Sequence, residues 1–149
     1  MAQSLAFTSA GTDISISAAL PVTYLAATFA ALTWTSIGEV TDLGEFGRVY
    51  NVVKLNLLKD RRTVKRKGSY DDGTIAAQMA RVPSDAGQTL LTAAVVSDNS
   101  YSIKVTLQDG TIFYFTAQIS SYTTNVGSVD QITSATVNFE IDNDIIEVP

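Results

Sequence analysis

The sequence contains no cysteine and no histidine. Without cysteine there is no disulfide, no thiolate metal ligand and no cysteine nucleophile. Without histidine, the usual general base near neutral pH, every Ser-His-Asp arrangement and the commonest zinc ligand are excluded as well. These two absences exclude most classes of enzyme, so we expect no catalytic residue, no cofactor and no bound metal.

Long apolar runs are also lacking. The most apolar stretch, Leu20 to Trp34, is interrupted by a proline and several polar residues, and it is shorter than the ~20 residues needed to span a bilayer. The first thirteen residues, "MAQSLAFTSAGTD", carry no basic n-region, so they are not predicted to be a secretory signal. We therefore expect no membrane anchor and a protein made in the cytoplasm.

Positive charge is missing from both ends of the chain. The net charge is −5, and all ten lysines and arginines lie between Arg48 and Lys104. The first 47 residues hold four acids, and the residues from Val105 onward hold six. Within the cationic middle, the segment "KDRRTVKRKG" contains six of the ten cations: Lys59, Arg61, Arg62, Lys65, Arg66 and Lys67.

Apolar residues that alternate with polar ones predict several strands. Tyr101 to Ile119 is typical of a hairpin that turns at Asp109-Gly110, since that dipeptide suits the positive φ of a tight turn. Ile132 to Ile141 has one apolar and one polar side. Tyr50 to Leu57 and Thr74 to Val82 are predicted as two further strands.

One helix is predicted among these strands. It follows Pro83, with Ser84 as N-cap and Asp85 in the first turn, and it is expected to end near Ser97. The apolar stripe of this helix consists of Leu90, Leu91, Ala94 and Val95. The pattern indicates a single domain over residues 1–149. Its class is α+β with mainly β structure, built as a β-sandwich or barrel with one packed helix.

The segment Lys59 to Gly73 is predicted to be a long basic loop between two strands. Loops of about fifteen residues inside compact domains are usually functional or disordered. Nucleic-acid binding, docking to a protein and simple solvation are all open interpretations of its charge. Counted out and back as an extended hairpin, such a loop would reach ~23 Å.

Two acidic clusters are the remaining candidates for chemistry. Asp71-Asp72-Gly73 is typical of a turn. Residues 140–149 form a predicted acidic tail, which lacks the glycine and the spaced glutamate of a calcium loop. A carboxylate-dependent hydrolase is the weaker enzymatic alternative, and it would require a deep pocket that contains two acids.

A resemblance to a known family covers roughly residues Leu32 to Asp142. The segments "LTWTSIGEVTDLGEFG", "DAGQTLLTAAVVSDNSYSIKVTLQDGTIFYFTAQISSY" and "VDQITSATVNFEID" together resemble the major tail tube proteins of tailed bacteriophages, especially those with long non-contractile tails. The order of these elements carries the resemblance, since no single one is diagnostic.

The resemblance implies a structural virion protein and no active site. Its relatives form a β-sandwich-like tail tube domain, close into hexameric rings and stack into a hollow tube through which the genome passes. The implied partners are further copies of the chain, a tape measure protein, a tail terminator and tail tip proteins, and the implied location is the virion tail. DNA is expected to pass without tight binding.

In such proteins a long loop between early strands reaches from one ring toward the next, and Lys59 to Gly73 occupies that place. The resemblance therefore favours a docking role for the six cations. Their candidate acidic partners on another copy are, first, Glu140, Asp142, Asp144 and Glu147 and, second, Glu39, Asp42 and Glu45. The alternative function is a polyanion- or nucleic-acid-binding β-domain that uses the same basic loop.

Overall fold

The computed structural model describes residues 4–149, which form ten strands and two helices. Residues 1–3 lie outside the described residues. They are the start of the predicted domain and of the amino-terminal segment that is not predicted to be a secretory signal. The strands are β1 (Asp13–Ser17), β2 (Thr35–Ser36), β3 (Val40–Asp42), β4 (Val49–Asn56), β5 (Thr63–Asp71), β6 (Thr74–Ala80), β7 (Tyr101–Thr106), β8 (Ile112–Asn125), β9 (Ser134–Ile141) and β10 (Ile146–Val148); the helices are α1 (Ala26–Ala30) and α2 (Ala86–Val95).

Eight of the strands form one antiparallel sheet in the order β2-β1-β7-β8-β9-β6-β3, with β10 paired to β8. β2 and β3 lie at opposite edges of this sheet, although only residues 37–39 separate them in the chain. Four steps along an extended chain span at most ~14 Å, so the two edges must come close together. The sheet is therefore curled into a half-barrel, in agreement with the predicted mainly β class.

The predicted β7–β8 hairpin is confirmed. Thr106 pairs with Ile112, and the Leu107 amide donates to the Thr111 carbonyl at 2.8 Å. Gly110 has a φ of +93°, which glycine adopts without steric cost. β8 continues past the predicted Ile119 to Asn125, with an irregularity in its pairing with β9 near Ser120.

The apolar side of β9 is also confirmed. Ala135, Val137, Phe139 and Ile141 are buried in the core, while Glu140 on the other side is exposed. On α2, Leu91 and Ala94 are buried, and Leu90 and Val95 pack against the same core. The core therefore lies inside the curled sheet, with α2 covering it.

Three predictions about helices need correction. The N-cap of α2 is Asp85 rather than Ser84, because the Asp85 carboxylate accepts both the Gln88 amide at 3.0 Å and the Gly38 amide at 3.2 Å. The helix ends at Val95, two residues before the predicted end. A second helix, α1, buries Phe29; its five residues are too few to show helical periodicity.

The predicted basic loop is largely a strand. Thr63–Asp71 is β5, which pairs antiparallel with β4 in a separate two-stranded hairpin. Both sides of this hairpin are mostly exposed, so β5 has no buried side to impose the alternation by which strands are recognised. The predicted acidic tail is also wrong in part, since Glu140 and Ile141 end β9 and Ile146–Val148 is β10 on β8.

Gln88 lies at the centre of the contacts between α2 and the sheet. It is fully buried, and its Oε1 accepts the Val82 amide at 2.9 Å and the Tyr122 hydroxyl at 3.1 Å. Its Nε2 donates to the carbonyls of Ala80 at 2.9 Å and Gly38 at 3.2 Å. These contacts, which we call the Gln88 network, join α2 to the segment that links β2 and β3.

Gly87 lets the helix approach that segment. A Cβ on Gly87 would lie 2.4 Å from the Ser36 carbonyl oxygen and 2.6 Å from the Ile37 Cα. Both of these are backbone atoms, which a side-chain rotation cannot move away. The "GQ" pair within the family-like segment therefore has a packing role.

We expect Gly87→Ala to lower the free energy of unfolding by about 1–3 kcal/mol, the usual cost of overpacking a tight contact. Denaturant titration followed by circular dichroism measures the change. Ala93→Ser, on the exposed side of α2, is the control and should change stability by less than about 0.5 kcal/mol. Equal stabilities for Gly87→Ala and the parent protein would contradict the close contact.

Candidate functional site

The hairpin of β4 and β5, from Val49 to Asp71, is the main candidate for an interaction surface, and we call it the arm. Its two strands form a sheet of their own. Most of its side chains are exposed, and Tyr50, Leu57 and Val64 are only half-buried. Eight residues of β4 at ~3.3 Å each give a length of about 26 Å. A two-stranded hairpin alone is at best marginally stable in water, so the arm is a candidate for a surface that a partner covers.

One side of the arm is basic. Register places Lys54 opposite Lys65, and Val52 opposite Lys67. The Lys67 ammonium lies 4.8 Å from the centre of the Tyr50 ring. Lysines on an exposed strand also discourage indiscriminate pairing of its open edge.

The opposite side of the arm is largely apolar. Leu55 pairs with Val64, and Val53 pairs with Arg66. Val53 and Leu55 are each 59% exposed although both are large and apolar. Sequence reasoning missed this side. Val49, Asn51, Val53 and Leu55 occupy every second position and so share one side of a strand, and three of the four are apolar, which was a signal that could have revealed it.

The tip of the arm carries one apolar side chain among cations. The Leu57 amide donates to the Arg62 carbonyl at 2.9 Å, which leaves residues 58–61 as the turn. Arg61 adopts a φ of +52° there, a conformation that non-glycine residues seldom take. Leu58 is 98% exposed, and Lys59, Arg61 and Arg62 follow it closely.

The base of the arm is fixed by Arg48. Its guanidinium pairs with Asp144 at 2.9 Å and with Asp72 at 3.5 Å, and it lies 4.0 Å from the centre of the Tyr70 ring. The Tyr24 hydroxyl donates to the Asp144 carbonyl. Burial raises the pKa of Tyr24 to about 12, so this hydroxyl keeps its proton at neutral pH. These contacts hold the start of the arm against the half-barrel.

The six predicted contact residues all lie on the arm, and all but Lys67 lie on its outer half. Lys59, Arg61 and Arg62 are at the tip, and Lys65, Arg66 and Lys67 are on β5. Within residues 4–149, both ion pairs of the chain involve Arg48 instead. The cations of the outer arm are therefore exposed and have no carboxylate partner in the described part of their own chain.

Three of the four first-choice acidic partners already accept hydrogen bonds in their own chain. Glu140 accepts from Thr74 and Ser120, and Asp142 accepts from Thr116 and Ser100. Asp144 binds Arg48 and accepts from Tyr70 at 3.3 Å. Glu147 is exposed on β10. The structure thus places three of these carboxylates in contacts that an incoming cation would have to replace or share.

The second-choice acids lie in or next in sequence to the lining of a surface pocket of about 220 Å³, which is part apolar and part polar. Asp42 lines this pocket, while Glu39 and Glu45 each adjoin a lining residue in the chain. The apolar lining consists of Ile14, Val40, Leu43, Phe46, Val105 and Leu107. Sequence reasoning could not find this pocket, because strands distant in sequence form it.

Comparison with known families identifies the chain. The family model described as "Lambda phage tail tube protein, TTP" matches residues 22–143. The chain belongs to the lambda phage tail tube protein family. As a member of this family of structural phage tail proteins, it is a virion component with a structural role in the tail tube. Among residues 4–149, neither helix has the length and apolar character needed to cross a membrane.

Solved structures show the same tail tube fold at low sequence identity. A chain of the cryo-EM structure of the anti-feeding prophage baseplate, 6-fold symmetrised, matches with a TM-score of 0.74 and 9% identity, over 98% of this chain and 97% of that one. A chain of the tail of an empty GTA particle, refined with C6 symmetry, matches with a TM-score of 0.70 and 12% identity over 97% and 100%.

A third similar structure is the sheath/tube terminator of an extracellular contractile injection system in the extended state. It has a TM-score of 0.68 and 11% identity, over 99% of this chain and 100% of that one. No curated protein sequence gives a significant match to the chain. At these identities the structural matches show a shared fold only.

Proposed function

We propose that this tail tube protein closes into six-membered rings, and that the rings stack into the hollow tube through which the genome passes. The observation that carries the proposal is the arm, which has an uncovered apolar side and unpaired cations in a family that builds tubes. The six-fold and C6 symmetries of two structures with the same fold support the number of copies.

Unpaired strand edges support assembly of the chain with itself. β3 pairs with β6 only at Gln78 and Met79, so the stretch from Thr74 to Ala77 has a free edge within the described residues. Both outer edges of the arm are likewise unpaired in residues 4–149. Pairing such edges between copies in a closed ring satisfies their backbone groups.

The charge balance suits a conduit for DNA. Six copies at −5 give a ring of −30, which repels a polyanion overall. We propose that DNA passes without tight binding, that a tape measure protein occupies the tube during assembly, and that a tail terminator and tail tip proteins bind its ends. The alternative function is a polyanion-binding domain, which the exposed Lys54, Lys65 and Lys67 favour.

The arm ties neighbouring copies together in this proposal. The outer cations meet carboxylates of another copy, and the apolar side packs against that copy. Exposed ion pairs contribute only ~0.2–1 kcal/mol each and weaken with salt, but several repeated at six positions can decide whether stacking proceeds.

Negative-stain electron microscopy of the purified, concentrated protein should show hollow tubes with six-fold rings in end view. The physical reason is that closure and stacking cover the edges and arms that a single copy leaves exposed. A uniform monomer in mass photometry, with no ordered polymer in any condition, would overturn the proposed function.

Assembled tubes should bind double-stranded DNA weakly. We expect no submicromolar binding in a fluorescence anisotropy titration at physiological salt, because the negative ring charge opposes contact. Unassembled protein is the comparison, since its arms are exposed. Submicromolar binding to the tubes themselves would favour the polyanion-binding alternative.

Reversing Arg61, Arg62, Lys65 and Arg66 to Glu should leave folded subunits that do not polymerise, because like charges then face the neighbouring carboxylates. Light scattering measures polymerisation, and circular dichroism checks the fold. The matched control changes the three arginines to lysine and Lys65 to arginine. This control keeps the charge and should keep the tubes.

Charge restoration then identifies the acids. In the fourfold reversal, tubes should return when the acids that contact the arm are changed to Lys. The first set to test is Glu140, Asp142, Asp144 and Glu147, and the second set is Glu39, Asp42 and Glu45. If the fourfold reversal polymerises like the parent protein at low and high salt, the arm is a solvated ribbon and not an electrostatic tether.

A further inference from the structure

The tip of the arm carries an exposed apolar side chain, and the pocket beside Asp42 has room for one. Leu58 is a large apolar side chain that is 98% exposed at the far end of the arm. The pocket has about 220 Å³ and six apolar lining residues. An apolar cavity of ~150 Å³ is large enough to hold benzene, so a leucine side chain fits this space.

Their charges are complementary. Lys59, Arg61 and Arg62 follow Leu58 in and beside the turn, which contains one acid, Asp60, so the tip carries a net positive charge. Every lining residue of the pocket comes from the two cation-free parts of the chain, before Arg48 and from Val105 onward. The four acids of the first part all lie in the lining or directly beside it in sequence: Asp13, Glu39, Asp42 and Glu45. All four are exposed; Asp13 accepts hydrogen bonds from Ser15 and Ser36 and Asp42 accepts one from the Gly44 amide, while Glu39 and Glu45 are exposed acids next to the lining in sequence.

The tip cannot enter the pocket of its own chain. Phe46 lines the pocket and lies three residues before β4 begins, so the pocket adjoins the base of the arm. Leu58 is nine residues beyond Val49, about 30 Å away along the extended strand. An arm tip that enters this pocket must therefore belong to another copy.

We propose that Leu58 at the arm tip of one copy inserts into the pocket lined by Ile14, Leu43 and Phe46 on a neighbouring copy, where Lys59, Arg61 and Arg62 meet Asp42, Glu39 and Glu45. This inference rests on the proposed tube, and it names the surface that receives the arm. It favours the second set of acids over the carboxy-terminal set, because Asp42 lines the pocket and Glu39 and Glu45 adjoin lining residues in sequence.

Crosslinking between two single-cysteine variants tests the contact, since the chain has no cysteine of its own. Leu58→Cys and Ser9→Cys subunits are mixed, allowed to polymerise and treated with a short bismaleimide, since Ser9 is an exposed residue of the pocket lining. We expect a crosslinked dimer in the mixture that neither variant forms alone. Leu58→Cys mixed with Glu147→Cys tests the carboxy-terminal acids, and Leu58→Cys mixed with Val129→Cys is the background control.

Loss of the apolar side chain provides a second readout. Leu58→Asp should raise the critical concentration for polymerisation about ten-fold or more, because burial of a leucine is lost and a negative charge meets the acids. Val129→Asp is the matched control, since Val129 is also 98% exposed. It should polymerise like the parent protein, and circular dichroism should show both variants folded.

The outcomes separate this inference from the proposed function. A parent protein that forms no tubes overturns the tube itself. Tubes that form without the Leu58–Ser9 crosslink, that crosslink through Glu147 instead, or that tolerate Leu58→Asp as well as Val129→Asp overturn the pocket contact and leave the tube standing.

Discussion

The fold depends on one buried amide. Gln88 is completely enclosed and uses both polar atoms of its side chain on the backbone of Gly38, Ala80 and Val82 and on Tyr122. Because Gly38 lies in the short link between the two sheet edges, these bonds hold the curl of the half-barrel. An apolar residue of similar size would leave several buried backbone groups unpaired, at a cost of about 1–3 kcal/mol each.

The same curl positions the surfaces that matter for assembly. The link from β2 to β3 continues through Asp42 and Phe46 into the arm, so the segment that closes the half-barrel also forms the pocket and leads to the arm base. Arg48 then ties that base to Asp72 and Asp144. Core packing and interaction surfaces are therefore built from one continuous stretch of chain.

Sequence patterns predicted the elements that bury one side. The β7–β8 hairpin, β9 and the apolar stripe of α2 were found because burial imposes alternation or helical spacing on them. β4 was predicted as Tyr50 to Leu57 from its apolar residues, although both of its sides are mostly exposed. β5 was missed because Val64 is its only aliphatic residue, and β2 and β3 are too short to carry a pattern. The cations of the arm were visible in the composition, but the pocket beside Asp42 arises only from tertiary contacts. The N-cap was placed at Ser84 instead of Asp85 because serine and aspartate are about equally favoured at that position.

The exposed arm has a consequence for the kinetics of tube growth. A ribbon of two strands without cover has considerable conformational freedom, and docking removes that freedom. The first few copies to associate lose the conformational freedom of their arms before the contacts of a complete ring offset that loss. A copy that joins an existing end finds the surface that receives its arm already formed. In the proposed tube, growth by elongation is therefore favoured over initiation, so that polymerisation of the concentrated protein begins slowly and then proceeds by addition to existing ends.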